Sequence, residues 1–166
     1  MPGCGSPRNP RRSVWRRCSG IRGPKQEVPV ENTLAGVAGK KFILSYSCGK
    51  DSTLCLHKML EAGAEPMALL VMFNPEAGRS YFHGVDPALL REYGEALELP
   101  LLAVPTGGEE YHLSMEAALR RAKEQGAELV CFGDIDMENN RAWGEERCRP
   151  FSLPTIRAAS ALSCFS

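Results

Sequence analysis

Continuous apolar runs alternate along the chain with longer segments in which apolar positions recur at helical spacing. A short apolar run is typical of a strand that is covered on both faces, whereas the spaced pattern predicts an amphipathic helix. Strands that alternate with helices in this way predict an α/β fold, with a doubly wound parallel sheet of four to five strands and helices on both faces. The predicted strands are residues 42–46, 67–73, 101–104 and 129–132, and the predicted helices are residues 52–62, 110–125, 138–148 and one that begins at residue 87.

Local signals mark the ends of two of these helices. Gly63 stands where the first helix would end, because glycine readily adopts the left-handed conformation found after helix C-termini. Asp86 and Pro87 stand where the second helix would begin, as an N-cap and a first-turn proline. The segment 74–83 between them is predicted to be a loop. The buried face of the second helix is predicted to carry Leu89, Leu90, Tyr93 and Leu97.

Changes in composition divide the chain into three parts. Residues 1–38 are rich in Arg, Pro, Gly and Ser without periodicity, and they predict a disordered basic extension. An organelle transit peptide, a weak RNA-binding arm and an extension without function are all open interpretations of it. Residues 39–148 form the predicted α/β domain. Residues 149–166 are predicted to be a divergent or truncated tail, since Pro150 and Pro154 discourage a continued helix.

The formal net charge of zero hides an asymmetry. Seven of the twenty basic residues lie within residues 1–26, which contain no acidic residue, so the remainder carries thirteen basic and twenty acidic residues, a net charge of −7. An acidic body argues against strong nucleic-acid binding by the folded domain. The seven cysteines include no C-x-x-C pair and predict free thiols in a reducing, cytoplasmic environment. No apolar run approaches the roughly 18 residues of a membrane-spanning helix.

The chemistry concentrates in the stretch 42–52, where the first predicted strand runs through a small polar turn into the first predicted helix. Backbone amides at a helix N-terminus point at one spot, and the helix dipole makes that spot attractive to anions. Hydroxyl groups of Ser45, Ser47 and Ser52 and the ammonium group of Lys50 add further donors. The stretch is therefore predicted to bind phosphate groups.

This turn is not the common P-loop, because Leu44 replaces the first glycine of that motif and Asp51 follows the lysine. It resembles instead the S-G-G-x-D-S loop of the N-type ATP pyrophosphatases, the PP-loop superfamily with an adenine nucleotide alpha hydrolase-like, HUP-like fold. In this chain the loop reads Ser47-Cys48-Gly49-Lys50-Asp51-Ser52, with a cysteine at the first glycine position. The resemblance implies cleavage of ATP between the α- and β-phosphates, with the loop holding the pyrophosphate.

Further motifs narrow the resemblance to the diphthine–ammonia ligase family, over residues 40–148. The segment Gly133-Asp134-Ile135-Asp136 is followed by Asn140-Arg141, Glu145 and Cys148, and Ser80-Tyr81-Phe82-His83 stands in the second loop. The resemblance implies that ATP activates a carboxylate of diphthine, a modified histidine of a translation elongation factor, for amidation by ammonia. Residues expected to bind ATP or pyrophosphate are Ser45, Ser47, Cys48, Gly49, Lys50, Asp51, Ser52, Gly133 and Asp134.

Several side chains are candidates for catalysis or substrate contact. Lys50 would stabilise charge on the departing pyrophosphate. Arg141 would suit a phosphate or a carboxylate, the alternative being a solvated helix face. His83 would contact substrate or be incidental, and Glu145 is implied by the family motif. Asp51, Asp134 and Asp136 predict Mg²⁺ at the ligand edge of the sheet, with Asp51 preferred as the metal-facing group and helix capping as the alternative for Asp134 and Asp136.

Three positions, at two places in the chain, depart from the family pattern. Cys48, at a helix N-terminus beside a lysine, is expected to have a lowered thiol pKa, the alternative being a small filler. Tyr111 and His112 stand where the family tends to carry an acidic pair.

The resemblance makes an ATP-dependent amide-forming ligase the first functional interpretation. A catalytically incomplete nucleotide-binding module and a tRNA-modifying PP-loop enzyme are the alternatives, and the chain could form a homo-oligomer if an edge of its sheet is exposed.

Overall fold

The computed structural model describes residue 34, residues 36–133 and residues 138–156, without the side chains of residues 138, 139 and 141. Most of the predicted extension 1–38 and the segment 157–166 therefore lie outside the described residues. The strands are β1 (Lys41–Ser45), β2 (Glu65–Asn74), β3 (Arg79–Ser80), β4 (Leu101–Pro105), β5 (Leu129–Phe132) and β6 (Thr155–Ile156). The helices are α1 (Lys50–Glu61), α2 (Pro87–Leu97), α3 (Tyr111–Glu124) and α4 (Glu138–Cys148), and a 3-10 turn covers Arg149–Phe151.

The sheet is parallel in the order β4-β2-β1-β5-β6, and β3 pairs antiparallel with the end of β2. Its described part has six strands rather than the four to five predicted. The prediction missed β3 because Asn74 makes a tight turn: its side-chain Oδ1 accepts hydrogen bonds from the amides of Glu76 at 3.0 Å and Ala77 at 3.2 Å. That turn folds the predicted loop back onto β2.

Helices cover both faces of the sheet, which confirms the predicted doubly wound α/β class. On one face, Phe42 and Leu44 of β1 pack in a cluster with Leu56 and Met59 of α1. On the other face, the intervening Ile43 joins a second cluster, which includes residues of α3 and α4. Successive strand side chains point to opposite faces, so a continuous apolar run is what a strand between two helical layers requires.

The predicted helix ends agree with the structure apart from small shifts. Gly63 follows the last residues of α1 with a φ of +81°, and the Asp86 side chain accepts a hydrogen bond from the Ala88 amide at 2.8 Å. Helix α1 begins at Lys50, two residues before the predicted Ser52. The prediction that Leu89 is buried was wrong, since this side chain is 45% exposed whereas Leu90 is 2% exposed.

The chain after α4 continues the fold as far as it is described. Strand β6 pairs with β5 in parallel, with Thr155 opposite Val130, and Leu153 is buried in the same cluster as Cys148. The segment predicted to be a divergent tail therefore adds a short strand to the sheet next to β5. Ahead of β1, Val37 is buried in the core. The domain boundaries at residues 38 and 148 remain predictions.

Candidate functional site

The carboxyl ends of β1 and β5 bring two distant segments together, because Ser45 at the end of β1 lies in register with Phe132 at the end of β5. In parallel sheets, ligand sites form outside this edge. A cavity of about 600 Å³ opens here. Among its lining residues are four from the predicted loop, namely Ser47, Gly49, Lys50 and Asp51, together with Ser45 at the end of β1 and Gly133.

Hydroxyl groups of the loop hold it in shape. The Ser47 hydroxyl accepts a hydrogen bond from the Gly49 amide at 3.3 Å and lies 3.2 Å from the Ser52 hydroxyl. The hydroxyls of Ser52 and Thr53 both donate to the Gly49 carbonyl at 3.0 Å. Ser52 is fully buried and does not line the cavity, so its hydroxyl supports the loop from behind.

Helix α1 presents its N-terminus to the cavity. Its N-cap is Gly49, and no side chain caps the helix in the described structure. The first amides of a helix have no partners within the helix, and here Gly49, Lys50 and Asp51 all line the cavity. The arrangement supplies backbone donors and a favourable dipole for an anion.

Lys50 and Asp51 form an ion pair at the mouth of the cavity. The Lys50 Nζ lies 2.6 Å from Asp51 Oδ1, and the two side chains are 87% and 36% exposed. An exposed pair of this kind contributes little to folding stability. Both side chains are consequently able to turn toward a ligand at low cost.

Cys48 turns away from the cavity and packs against the core cluster around Phe42. Its φ of +65° is left-handed, a conformation that L-residues other than glycine adopt at a cost. Burial raises the pKa of the Cys48 thiol from 9.0 to about 11. The expected lowering of this pKa was therefore wrong, because desolvation of the thiol outweighs the nearby helix N-terminus.

Gly133 permits the end of β5 to touch the start of α1. A Cβ atom placed on Gly133 would lie 2.6 Å from both Cα and Cβ of Ser52. Such distances are far inside van der Waals contact, so a side chain at position 133 would push β5 and α1 apart. Because Gly133 has no side chain, the end of β5 and the start of α1 can pack in direct contact beside the cavity.

The loop after β3 forms another wall of the cavity. His83 lines the cavity above Gly49, and a Cβ placed on Gly49 would lie 3.0 Å from His83 Nε2. Phe82, beside it, lines the cavity as well. The structure thus places His83, one of the predicted substrate-contact residues, directly against the loop.

Four aromatic rings form a continuous contact at the other end of the cavity, where Phe82, Tyr111 and Trp143 are lining residues. The ring centroids are 5.0 Å apart for Tyr81 and Tyr111, 5.9 Å for Phe82 and Tyr111, and 5.7 Å for Tyr111 and Trp143. Sequence reasoning did not assign Tyr111 or Trp143 to the site. Only their place in the sequence could have pointed to the site, since Tyr111 begins α3 and Trp143 follows the Asn140-Arg141 pair on α4.

The remaining predicted residues are only partly described. Asn140 lines the cavity from α4, whereas Glu145 on the same helix is exposed and is not among the lining residues. Arg141 lies on α4, but its side chain is outside the description, and Asp134 and Asp136 lie outside the described residues altogether. Within the described part of the chain, no group of three His, Cys, Asp or Glu side chains is arranged to hold a metal ion.

The fold and the site define the class of protein: a doubly wound α/β protein with a polar, glycine-containing loop between its first strand and first helix. A family model described as the diphthamide synthase N-terminal domain matches residues 40–154. The match spans more than half of the chain, which therefore belongs to this PP-loop family of ATP-utilising proteins. The predicted family is thereby confirmed, and the match runs six residues beyond the predicted limit of Cys148.

Other comparisons concern the fold. The chain is similar to the formyltetrahydrofolate deformylase of Pseudomonas putida KT2440, with 17% identity, a TM-score of 0.45 and coverage of 74% of this chain and 39% of that one. For the formyltetrahydrofolate deformylase of Burkholderia mallei ATCC 23344, the identity is 17%, the TM-score 0.38 and the coverage 63% and 34%. No curated protein sequence matches the chain. Among the described helices, none has the length and apolar character needed to cross a bilayer.

Proposed function

We propose that the chain binds ATP in the cavity at the ends of β1 and β5 and takes part in an ATP-dependent, pyrophosphate-releasing amide ligation. One observation carries the proposal: the family's loop wraps the uncapped N-terminus of α1 and opens directly into a cavity of about 600 Å³. That volume lies within the range of about 300–1,000 Å³ that is usual for small-molecule sites. The polar end of the cavity suits the triphosphate, and the aromatic end suits an apolar or planar group.

We assign each loop residue a separate role in binding the phosphates. First-turn amides at Lys50 and Asp51 would donate to the anion, and the Lys50 ammonium group would neutralise charge on the departing pyrophosphate. Ser45 and Ser47 line the same end, while Cys48 and Ser52 hold the loop from the core side. Gly133 supports the loop by close contact with Ser52. Asp134, the next residue in the sequence, is the other residue of this segment that we propose for ATP binding.

The residues present fit a magnesium ion. Mg²⁺ bound with nucleotides usually uses one or two protein carboxylates, with phosphate oxygens and water completing its shell. Asp51 supplies one carboxylate among the lining residues, where it is 36% exposed and paired with the exposed Lys50. When bound, the ion would neutralise phosphate charge. Holding it with Asp51 would release Lys50 to contact the phosphates directly.

The proposed reaction has two steps. An acceptor carboxylate oxygen forms a bond to the α-phosphorus of ATP while the bond from that phosphorus to the α,β-bridging oxygen breaks, so pyrophosphate leaves and an acyl adenylate forms. Ammonia then attacks the acyl carbon, the bond to AMP breaks and an amide remains after loss of a proton. Family membership supports a diphthine carboxylate on an elongation factor as the acceptor, and Arg141 and Glu145 on α4 are the proposed groups for the acceptor side.

A second candidate function is nucleotide binding without turnover. One observation favours it: Cys48 occupies, with a φ of +65°, the position at which the family's loop carries glycine. A loop held in this way would still present its amides to phosphate, since Gly49 and Lys50 keep their places. The two candidates differ only in whether the α,β-bond of ATP is cleaved.

Pyrophosphate release from ATP tests the choice. We expect the native chain, supplied with Mg²⁺, ammonia and an acceptor, to release pyrophosphate, and Asp51→Asn to lower the rate at least about tenfold because its neutral amide is a poorer metal ligand than the carboxylate. Glu61→Gln is the matched control, since it removes an exposed charge from the same helix away from the cavity. ATP binding is followed by fluorescence of Trp143 in a Trp15→Phe background, which leaves one tryptophan.

Each outcome has a clear meaning. Release that falls in Asp51→Asn but not in Glu61→Gln supports the ligase. Binding of ATP with no pyrophosphate from any variant favours the module without turnover. Failure of the native chain to bind ATP contradicts both candidates.

A further inference from the structure

A rigid arm, residues 79–85, carries His83 to the cavity. The arm is organised around the hydroxyl of Ser80, whose side chain is buried, with 4% of the residue exposed. This hydroxyl donates to the Phe82 carbonyl and accepts from the Val85 amide at 2.8 Å. The Ser80 amide donates to the Val85 carbonyl at 3.0 Å, so the two ends of the arm are tied together.

The arm is also fixed to its surroundings. At its base, the Tyr81 amide donates to the Met72 carbonyl of β2 at 2.8 Å, and Arg79 donates from its guanidinium group to the Gly84 carbonyl at 3.1 Å. At its tip, Phe82 packs edge-to-face on Tyr111 of α3, with ring centroids 5.9 Å apart. Hydrogen bonds at the base of the arm and ring contacts at its tip leave the backbone of His83 little freedom.

The backbone of His83 is strained. His83 has a φ of +59°, and Gly84 follows with a φ of +57°. Left-handed backbone is unfavourable for a residue with a side chain of this size, and it persists where the surrounding structure enforces it. The fold thus holds a histidine where a glycine would be easier to accommodate.

The imidazole of His83 faces the phosphate-binding end of the cavity. A Cβ placed on Gly49 would meet His83 Nε2 at 3.0 Å and Ser47 Oγ at 3.3 Å, so all three groups converge on one point beside the start of α1. The Ser47 hydroxyl is already engaged with Gly49 and Ser52. In the described structure, the His83 side chain has no hydrogen-bond or ion-pair partner.

Resting on the proposed function, we propose that His83 donates a hydrogen bond from Nε2 to the β- and γ-phosphates of ATP, and then to the pyrophosphate that leaves. The arm serves to hold the imidazole there before the ligand arrives. His83 and the amides of α1 would both donate hydrogen bonds to the pyrophosphate. Because the proposed contact of His83 is to the β- and γ-phosphates, the arm would favour ATP and pyrophosphate over AMP, which lacks these phosphates.

The test compares three ligands on the full 166-residue chain by isothermal titration calorimetry in the presence of Mg²⁺. The ligands are ATP, inorganic pyrophosphate and AMP. The main variant is His83→Asn, because asparagine tolerates left-handed backbone better than other residues with side chains, while its shorter amide does not reach the loop. His57→Asn is the matched control, since His57 lies on α1 outside the cavity lining and is 41% exposed.

We expect His83→Asn to weaken binding of pyrophosphate and ATP about tenfold or more, the size of a hydrogen bond to a charged group, and to leave AMP binding unchanged. His57→Asn should change none of the three affinities. Ser80→Ala keeps the imidazole but frees the arm, and should weaken pyrophosphate binding by a smaller factor with AMP again unaffected. In histidine-ring NMR spectra of the native chain, pyrophosphate should shift the signals of His83 among the three histidines.

The failure of this proposal is distinguishable from that of the proposed function. If the native chain binds ATP and pyrophosphate, and His83→Asn binds them equally well or more tightly, the role of His83 is refuted and the nucleotide site stands. An equal loss of AMP affinity would refute the selectivity for the terminal phosphates. If the native chain binds none of the three ligands, the nucleotide site itself is refuted, and the role of His83 with it.

Discussion

Replacing Gly133 with alanine tests whether the contact between β5 and α1 builds the site. The added Cβ would lie 2.6 Å from Cα and Cβ of Ser52 and 3.1 Å from its amide nitrogen. Carbon atoms in favourable contact lie about 3.5–4.0 Å apart, so the overlap is roughly 1 Å. Ser52 is fully buried in the first turn of α1, and the atoms that are met include backbone. The clash therefore cannot be relieved by rotating a side chain.

Overpacking of this kind costs typically about 1–3 kcal/mol, and the upper end applies because a helix start must move. For a domain of this size, each kcal/mol corresponds to about 2–4 °C in Tm, so we expect Gly133→Ala to lower Tm by about 6–12 °C. The same displacement would carry the amides of Lys50 and Asp51 away from the cavity. ATP affinity should consequently fall as well, measured on the fraction that is folded at low temperature.

Gly107→Ala is the matched control, because it adds the same methyl group beyond the end of β4, where no atom lies within 4 Å. Its φ is outside the left-handed region, so alanine fits without strain. Thermal unfolding followed by circular dichroism and ATP titration of both variants make the comparison. A Tm and an ATP affinity of Gly133→Ala equal to those of Gly107→Ala would refute the argument from close contact.

Two further predictions concern the cysteines. Cys48→Gly should be more stable than Cys48→Ala by about 1 kcal/mol in urea denaturation, because alanine keeps the left-handed penalty at φ +65° and glycine removes it; equal stability would contradict the strain. Burial raises the pKa of Cys48 from 9.0 to about 11 and the pKa of Cys148 from 9.0 to about 12. Between about pH 9 and pH 11–12, the folded chain therefore keeps the two thiol protons that the unfolded chain loses. The contribution of these thiols to the free energy of unfolding should be constant below about pH 9 and should fall as the pH rises toward 11–12. Urea midpoints at pH 8 and pH 10.5 measure the fall, and Cys148→Ala should reduce it.

The layers of the fold and the place of the site could be predicted because both follow from local patterns. Apolar runs bounded by helical segments give parallel strands, and parallel topology alone brings the ends of β1 and β5 to one edge. The helix ends at Gly63 and Asp86 were predictable for the same reason, since a left-handed glycine and an N-cap are local chemistry. No long-range contact had to be known in advance.

Features that depend on long-range contacts could not be predicted. Strand β3 has two residues, and it exists because the Asn74 turn returns the chain to β2. Leu89 fits the apolar periodicity of α2, but its side chain is 45% exposed. The lowered pKa expected for Cys48 considered the helix N-terminus and omitted the core against which the thiol packs. Tyr111 and Trp143 join the cavity only because α3 and α4 lie on the same face of the sheet.

The two glycine positions of the family's loop meet different physical demands, which explains why this chain keeps one and replaces the other. Position 48 needs a left-handed backbone, with a φ of +65°, and a side chain there costs about 1–2 kcal/mol. Position 49 has an ordinary φ of −83°, but a Cβ would lie 3.0 Å from His83 and 3.3 Å from Ser47. The first cost is local, and packing of the Cys48 side chain against the core offsets part of it. The second would displace the groups that face the ligand, so we expect substitution of Gly49 to impair nucleotide binding even where the fold survives.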